Sequence, residues 1–129
     1  MLEEVTGIVI SEYTYGEQSK IINIITREKG ILGLMVKGGR SLKSPLRSVT
    51  NKLSYGTFYI SYKKDKMSTL KDVSIINNFS NIKKDINKIS YATYITELST
   101  QVYKHENNSN IYNLYITCLD KINEEYDPL

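Results

Sequence analysis

The apolar positions of this chain change period once, close to residue 78. Before that point, short β-branched and aromatic runs alternate with glycine-containing turns, the pattern of strands. Residues 5–13 (VTGIVISEY), 19–27 (SKIINIITR) and 31–37 (ILGLMVK) predict three strands, with turns at Thr14-Tyr15-Gly16-Glu17 and Glu28-Lys29-Gly30. Connections this tight predict an antiparallel meander. Residues 52–63 (KLSYGTFYISYK) predict a fourth strand with Gly56, Phe58, Ile60 and Tyr62 on one face and Tyr55, Thr57 and Tyr59 on the other. Residues 68–76 (STLKDVSII) predict a fifth. Gly7, Gly33 and Gly56 fall inside strands, where a missing side chain commonly marks a bulge or sharp bend. Five short antiparallel strands with such glycines predict a small closed barrel. An OB-fold is the first expectation, with an SH3-like barrel as the alternative.

Beyond residue 78 the period lengthens to three and four. Ser80 is a candidate N-cap, followed by Ile82, Ile86, Ile89, Ala92, Ile95, Leu98 and Val102. Glu106-Asn107-Asn108-Ser109 supplies a break. Ile111, Leu114, Tyr115, Cys118, Leu119, Ile122 and Tyr126 then predict a second helix to about Glu125, antiparallel to the first. The expected fold is therefore mainly β then α: a five-stranded antiparallel OB-fold barrel over residues 1–78, then two antiparallel helices over 79–129. Two helices cover each other's apolar faces poorly, so 79–129 is expected to be an incomplete helical domain.

Composition narrows the function classes. The chain has 129 residues, 40% of them hydrophobic and 24% charged, and no run approaches a membrane span or a secretory signal. A single cysteine, Cys118, excludes an internal disulfide, and no cysteine/histidine cluster suggests zinc. A cytoplasmic protein with no cofactor and no structural metal is expected. Lys37-Gly38-Gly39-Arg40 lacks the glycine–lysine order of a P-loop, and no nucleophile elbow or His-x-x-x-His occurs. His105 falls among polar residues near a helix end, and Cys118 lies on an apolar stripe. Nothing points to an enzyme.

Charge distribution changes the picture more than composition does. The net charge is only +3, yet residues 29–64 carry eight cations and no acid. Four of them, Lys37, Arg40, Lys43 and Arg47, lie between the third and fourth strands beside Gly38, Gly39 and Pro45, with Ser41, Ser44 and Ser48 interleaved. Cations and hydroxyls on a connection between strands suit a phosphate backbone better than a small molecule. Lys20, Arg27 and Lys29 are candidate auxiliary contacts. Tyr55, Tyr59 and Tyr62 could offer ring faces to bases. OB-folds usually bind through the face of strands 2–3 and the loops between strands 1–2 and 4–5, so a basic connection between strands 3 and 4 predicts a displaced site.

A motif series runs through the same stretch: Gly7-Ile8-Val9-Ile10, Tyr15-Gly16-Glu17-Gln18-Ser19-Lys20, Thr26-Arg27-Glu28-Lys29-Gly30 and Lys37-Gly38-Gly39-Arg40-Ser41-Leu42-Lys43-Ser44-Pro45-Leu46. In order and spacing it resembles the N-terminal domain of the RecO recombination-mediator family. The resemblance implies an OB-fold followed by a helical domain, with binding of single- and double-stranded DNA. It also implies strand annealing and loading of RecA onto DNA coated by single-strand-binding protein, in the cytoplasm at the nucleoid. The implied partners are RecR and the C-terminal tail of single-strand-binding protein, whose docking site lies on the helical domain and is expected to be wholly or partly missing here. Family members are usually about twice as long, and many carry a zinc-binding cysteine cluster in their later half. The competing expectation is a protein-interaction scaffold of a repair complex, with only incidental DNA contact.

Overall fold

A computed structural model of the chain describes residues 2–105 and 109–124, the side chains of His105 and Ser109 excepted. Two compact units result, Met1–Asn78 and Phe79–Leu129. Glu106, Asn107, Asn108, Glu125 and Tyr126, named above, lie outside the described residues.

The first unit is a closed barrel of β1 (Leu2–Tyr15), β2 (Ser19–Thr26), β3 (Gly30–Val36), β4 (Tyr55–Ser61) and β5 (Ser68–Asn77), in the order β1-β2-β3-β5-β4. The expected five-stranded OB-fold barrel is borne out, with one exception to its antiparallel character. A closed ring of five strands cannot alternate direction all the way round, so one neighbouring pair must run parallel. That seam is β3–β5, and it is short: Leu34 faces Ser68 and Met35 faces Thr69. The inward faces supply Val5, Val9, Ile22, Ile24, Leu34, Val36, Phe58, Ile60 and Leu70 to a single apolar core.

β1 starts earlier than its apolar run suggests, because its first half pairs with β4 and its second with β2. A bulge between Val9 and Ser11 bends it between the two. Gly7 sits at the overlap, opposite Thr26 on one side and Gly56 on the other. A Cβ at Gly7 would lie 2.5 Å from the Ile25 carbonyl oxygen, and one at Gly56 would run into the Ser74 carbonyl oxygen. These two glycines let strands approach more closely than any side chain allows. Gly33 does not act this way: its Cβ would meet only Asn23 Oδ1, at an ordinary 3.4 Å.

β3 and β4 are not neighbours, so residues 37–54 must cross an end of the barrel. The crossing is folded on itself through Gly39 N–H to Val36 O (3.1 Å), Ser41 N–H to Gly38 O (3.0 Å) and Ser44 N–H to Ser41 O (3.0 Å). Gly38 takes a φ of 67° that favours glycine. Leu46 packs against the barrel core, and Thr50 is fully buried. The fourth strand begins at Tyr55 and not at Lys52, because Leu53 turns left-handed (φ 68°) and donates its N–H to Val9 O at 2.8 Å.

Glu12 fastens this crossing to the barrel. Its Oε1 accepts from Lys20 Nζ at 2.9 Å and its Oε2 from the Lys52 backbone N–H at 3.1 Å. Lys20 Nζ also donates to Thr50 O at 3.3 Å. Glu12 faces Ile22 across the β1–β2 ladder, which makes Lys20 its diagonal neighbour.

The second unit holds α1 (Ser80–Lys83), α2 (Ile86–His105) and α3 (Ser109–Asn123). The single long first helix expected from Ser80 is replaced by two. Phe79, left-handed and without a side-chain cap bond, precedes α1. The effective N-cap is Asp85, whose Oδ1 accepts from the N–H groups of Asn87 (2.9 Å) and Lys88 (3.3 Å) and so starts α2 afresh. α2 and α3 run antiparallel, linked by Thr96 and the Tyr115 hydroxyl at 2.7 Å. Burial there pushes the Tyr115 hydroxyl well above its ordinary pKa. The buried side of α2 coincides only in part with the apolar stripe marked by periodicity. Ala92, Thr96 and Tyr103 are buried, whereas Ile86, Ile89, Leu98 and Val102 are exposed.

Two stability measurements check this account. Gly7→Ala and Gly56→Ala should each lower the unfolding free energy in urea by about 1–3 kcal/mol through overpacking, with Gly33→Ala costing less than about 1 kcal/mol. Glu12→Ala strands the Lys20 ammonium, whose side chain is only 6% exposed. The cost should be roughly 2–3 kcal/mol, below the full figure for a buried pair because Glu12 keeps some access to water. A urea midpoint unmoved by Glu12→Ala would contradict the fastening role.

Candidate nucleic-acid interface

The turn between β1 and β2 and the crossing after β3 come together at one end of the barrel. Gly38 N–H donates to Ser19 Oγ at 3.0 Å and Arg40 N–H to Gln18 O at 2.7 Å. The Arg40 guanidinium folds back on the same turn, its Nε donating to Ser19 O at 2.9 Å and an Nη to Gly16 O. Gly39 lies under this contact, where a Cβ would come within 2.5 Å of Val36 Cγ1. Gly38 and Gly39 therefore serve the docking of the loop onto the β1–β2 turn.

The sequence-predicted cations take different places around this end. Lys37, Lys43 and Arg47 are exposed, and none makes an ion pair among the described residues. Arg40 is half-buried and spends part of its hydrogen-bonding capacity on the chain itself. Lys20 is buried and ion-paired, so its first role is to anchor. Lys52, a member of the acid-free run not singled out above, is exposed and adds a further cation.

A cavity of about 420 Å³ opens here, with Lys20, Arg40, Arg47 and Lys52 in its walls together with Glu12 and Tyr13. Sequence reasoning missed Tyr13 and Glu12 as parts of the site. The one available signal was that both immediately precede the β1–β2 turn.

Arg27 and Lys29 are elsewhere. β2 has 8 residues, with Lys20 opposite Val36 at one end and Thr26 opposite Gly30 at the other. At ~3.3 Å per residue, Arg27 and Lys29 sit about 25 Å from the basic loop. Both are matched by acids: Arg27 lies 3.6 Å from Glu28, and Lys29 lies 3.2 Å from Glu3 while sitting 4.2 Å from the Tyr62 ring centroid. The exposed Lys63, Lys64 and Lys66 of the β4–β5 connection lie at this end too, offset in part by Asp65, so its positive surplus is smaller than that of the loop end but not zero.

The tyrosines divide in the same way. Tyr55 and Tyr59 share the outer face of β4, both half-buried. Tyr59 is flanked across the ladders by Glu4 on β1 and Asp72 on β5, which repel a phosphate backbone. Tyr55 is flanked by Ile8 and Asn77 and directly follows the basic crossing. Of the two, Tyr55 is the one with no acid opposite it on either ladder. Among the described residues no group of three or more His, Cys, Asp or Glu could hold a metal ion, and no helix is long and apolar enough to cross a membrane.

Residues 1–79 match the family described as Recombination protein O N terminal. The chain is 37% identical over 128 residues to a protein of Listeria monocytogenes named DNA repair protein RecO, covering 98% of this chain and 50% of that protein. Proteins of the same name from Halalkalibacterium halodurans and Clostridium perfringens are 33% and 34% identical, over 99% and 96% of this chain and 50% of each relative. The chain thus spans about half the length of the curated relatives it matches. With the family match covering the whole barrel, the motif series of the first three strands and the basic crossing belong to one inherited unit, and the chain is a member of the RecO family.

Proposed function

We propose that this chain is the DNA-binding part of a recombination-mediator protein in DNA repair, holding single- and double-stranded DNA by its phosphates without reading sequence. The observation that carries this reading is the set Lys37, Lys43, Arg47 and Lys52, exposed at one barrel end and free of ion pairs among the described residues. Cations that form no ion pair keep their attraction for a polyanion, and the folded crossing limits the entropy lost when they engage it. Arg40 and Lys20 hold the loop in place beneath them. Tyr55 is the ring we assign to base stacking. Arg27, Lys29 and Tyr59 are assigned lesser roles, because acids neutralise their surroundings. The name carried by the relatives supports a role in repair.

Annealing of complementary strands, loading of RecA onto coated DNA, and contacts with RecR and the tail of single-strand-binding protein belong to the same proposal, as functions of the longer protein. Residues 79–129 are then part of a larger helical domain, and the working location is the cytoplasm, at the nucleoid. No step of catalysis is invoked. The scaffold reading keeps one observation in its favour: Tyr91, Tyr94, Leu98 and Val102 form an exposed stripe along α2 that a protein partner could cover.

A salt titration of oligonucleotide binding separates the two. Four phosphate contacts predict log affinity falling with log salt at a slope of about −2.8 for single strands and about −3.6 for duplex. Replacing Lys37, Lys43, Arg47 and Lys52 together by Glu should weaken binding at least about a hundredfold near physiological salt. Arg27→Glu should change it less than about threefold. Wild-type affinity in the folded quadruple variant would remove the loop from the interface, and no salt-sensitive binding by the parent chain would favour the scaffold.

A further inference from the structure

We propose that the cavity between the β1–β2 turn and the basic crossing receives the terminal phosphate of a DNA strand, so that this barrel end recognises strand ends as well as strand interiors. The inference rests on the DNA-binding reading above and adds a chemical group to it.

The cavity, about 420 Å³, has four cations and one carboxylate in its walls, a surplus of three positive charges. The carboxylate is already engaged: Glu12 Oε1 takes Lys20 Nζ at 2.9 Å and Oε2 takes the Lys52 N–H at 3.1 Å. Both its oxygens are therefore occupied by donors of the chain. The cations keep donors to spare. Lys20 Nζ has one N–H beyond those given to Glu12 and Thr50, and its side chain, 6% exposed, is held in place. Arg40 uses its Nε and one Nη on backbone carbonyls, which fixes the guanidinium while leaving further N–H groups. Arg47 and Lys52 add flexible charges.

A phosphodiester inside a strand carries one negative charge. A terminal phosphate carries about −1.5 to −2 and three acceptor oxygens, a closer match to three surplus charges on fixed donors. The space exceeds what a phosphate group alone requires and leaves room for the sugar attached to it.

The test is competition binding with one short oligothymidylate of about eight nucleotides, prepared with a 5′-phosphate, with a 3′-phosphate or with hydroxyl ends. At least one phosphorylated form should bind about tenfold tighter than the hydroxyl form, and which one gives the polarity of the seated strand. Asn51→Asp adds a second carboxylate to the cavity wall with almost no change of shape, and Arg47→Gln removes a cation. In each variant the ratio of phosphorylated to hydroxyl affinity should fall to about one to three. Equal binding of the three oligonucleotides would overturn the strand-end site while leaving DNA binding intact, as would a ratio undiminished in both variants. Thymidine monophosphate competing as strongly as the phosphorylated oligonucleotide would overturn it in favour of free nucleotides. Failure of every oligonucleotide to bind would remove the DNA reading and this site together.

Discussion

Five strands closed into a ring must contain one parallel seam, and the place of that seam decides where the basic residues end up. Here it falls between β3 and β5, which leaves β4 beside β1 and makes the chain cross the barrel end between Val36 and Tyr55. A crossing over an open barrel mouth has to cover apolar side chains while satisfying its own backbone. Leu46 does the first, and a series of tight turns with ties to Gln18, Ser19 and Val9 does the second. Long charged side chains are left mainly the outer surface, and in this chain those include Lys37, Lys43, Arg47 and Lys52.

Rigidity and charge are coupled at this end. Four or more cations close together repel one another, and a mobile loop would spread them apart. The Glu12 carboxylate and the backbone carbonyls that hold Arg40 counter this by tying the crossing to β1 and β2. Of the other acids of the barrel, Glu17 is exposed on the β1–β2 turn against which the loop docks, whereas Glu3 and Glu28 lie at the far end of β2, and Glu4 and Asp72 beside Tyr59. The barrel is polarised along its strands, with the larger positive surplus at the loop end and a smaller one at the end that holds the β4–β5 connection.

Much of the barrel was legible in the sequence because inward and outward positions alternate cleanly, as in Gly56, Phe58 and Ile60 against Tyr55, Thr57 and Tyr59. The early start of β1 was not, because Glu3 and Glu4 look like leading polar residues until β4 is seen to pair with them. Ser80 looked like a helix cap, yet a carboxylate five residues later competes for the same task and succeeds. The buried side of α2 was misplaced in part because periodicity selects the most apolar stripe, whereas Ala92 of that stripe shares the buried side with Thr96 and Tyr103, which lie off it. In the site, residue type identified cations without distinguishing their duties. Nothing local separates an arginine that donates to backbone carbonyls from one that faces solvent, or shows that Lys20 lies diagonal to Glu12. The motif series named the family correctly, since it records the turns and the crossing together.

The central claim is that the end of the barrel carrying the basic crossing, and not the opposite end, meets DNA. Backbone amide resonances followed during titration with a single-stranded oligonucleotide test it most directly. The account predicts that the largest shifts fall on residues 16–20 and 37–55, with Arg27, Glu28 and Lys29 nearly unmoved. Shifts centred on Arg27–Lys29 and Tyr59, or spread evenly around the barrel, would contradict it.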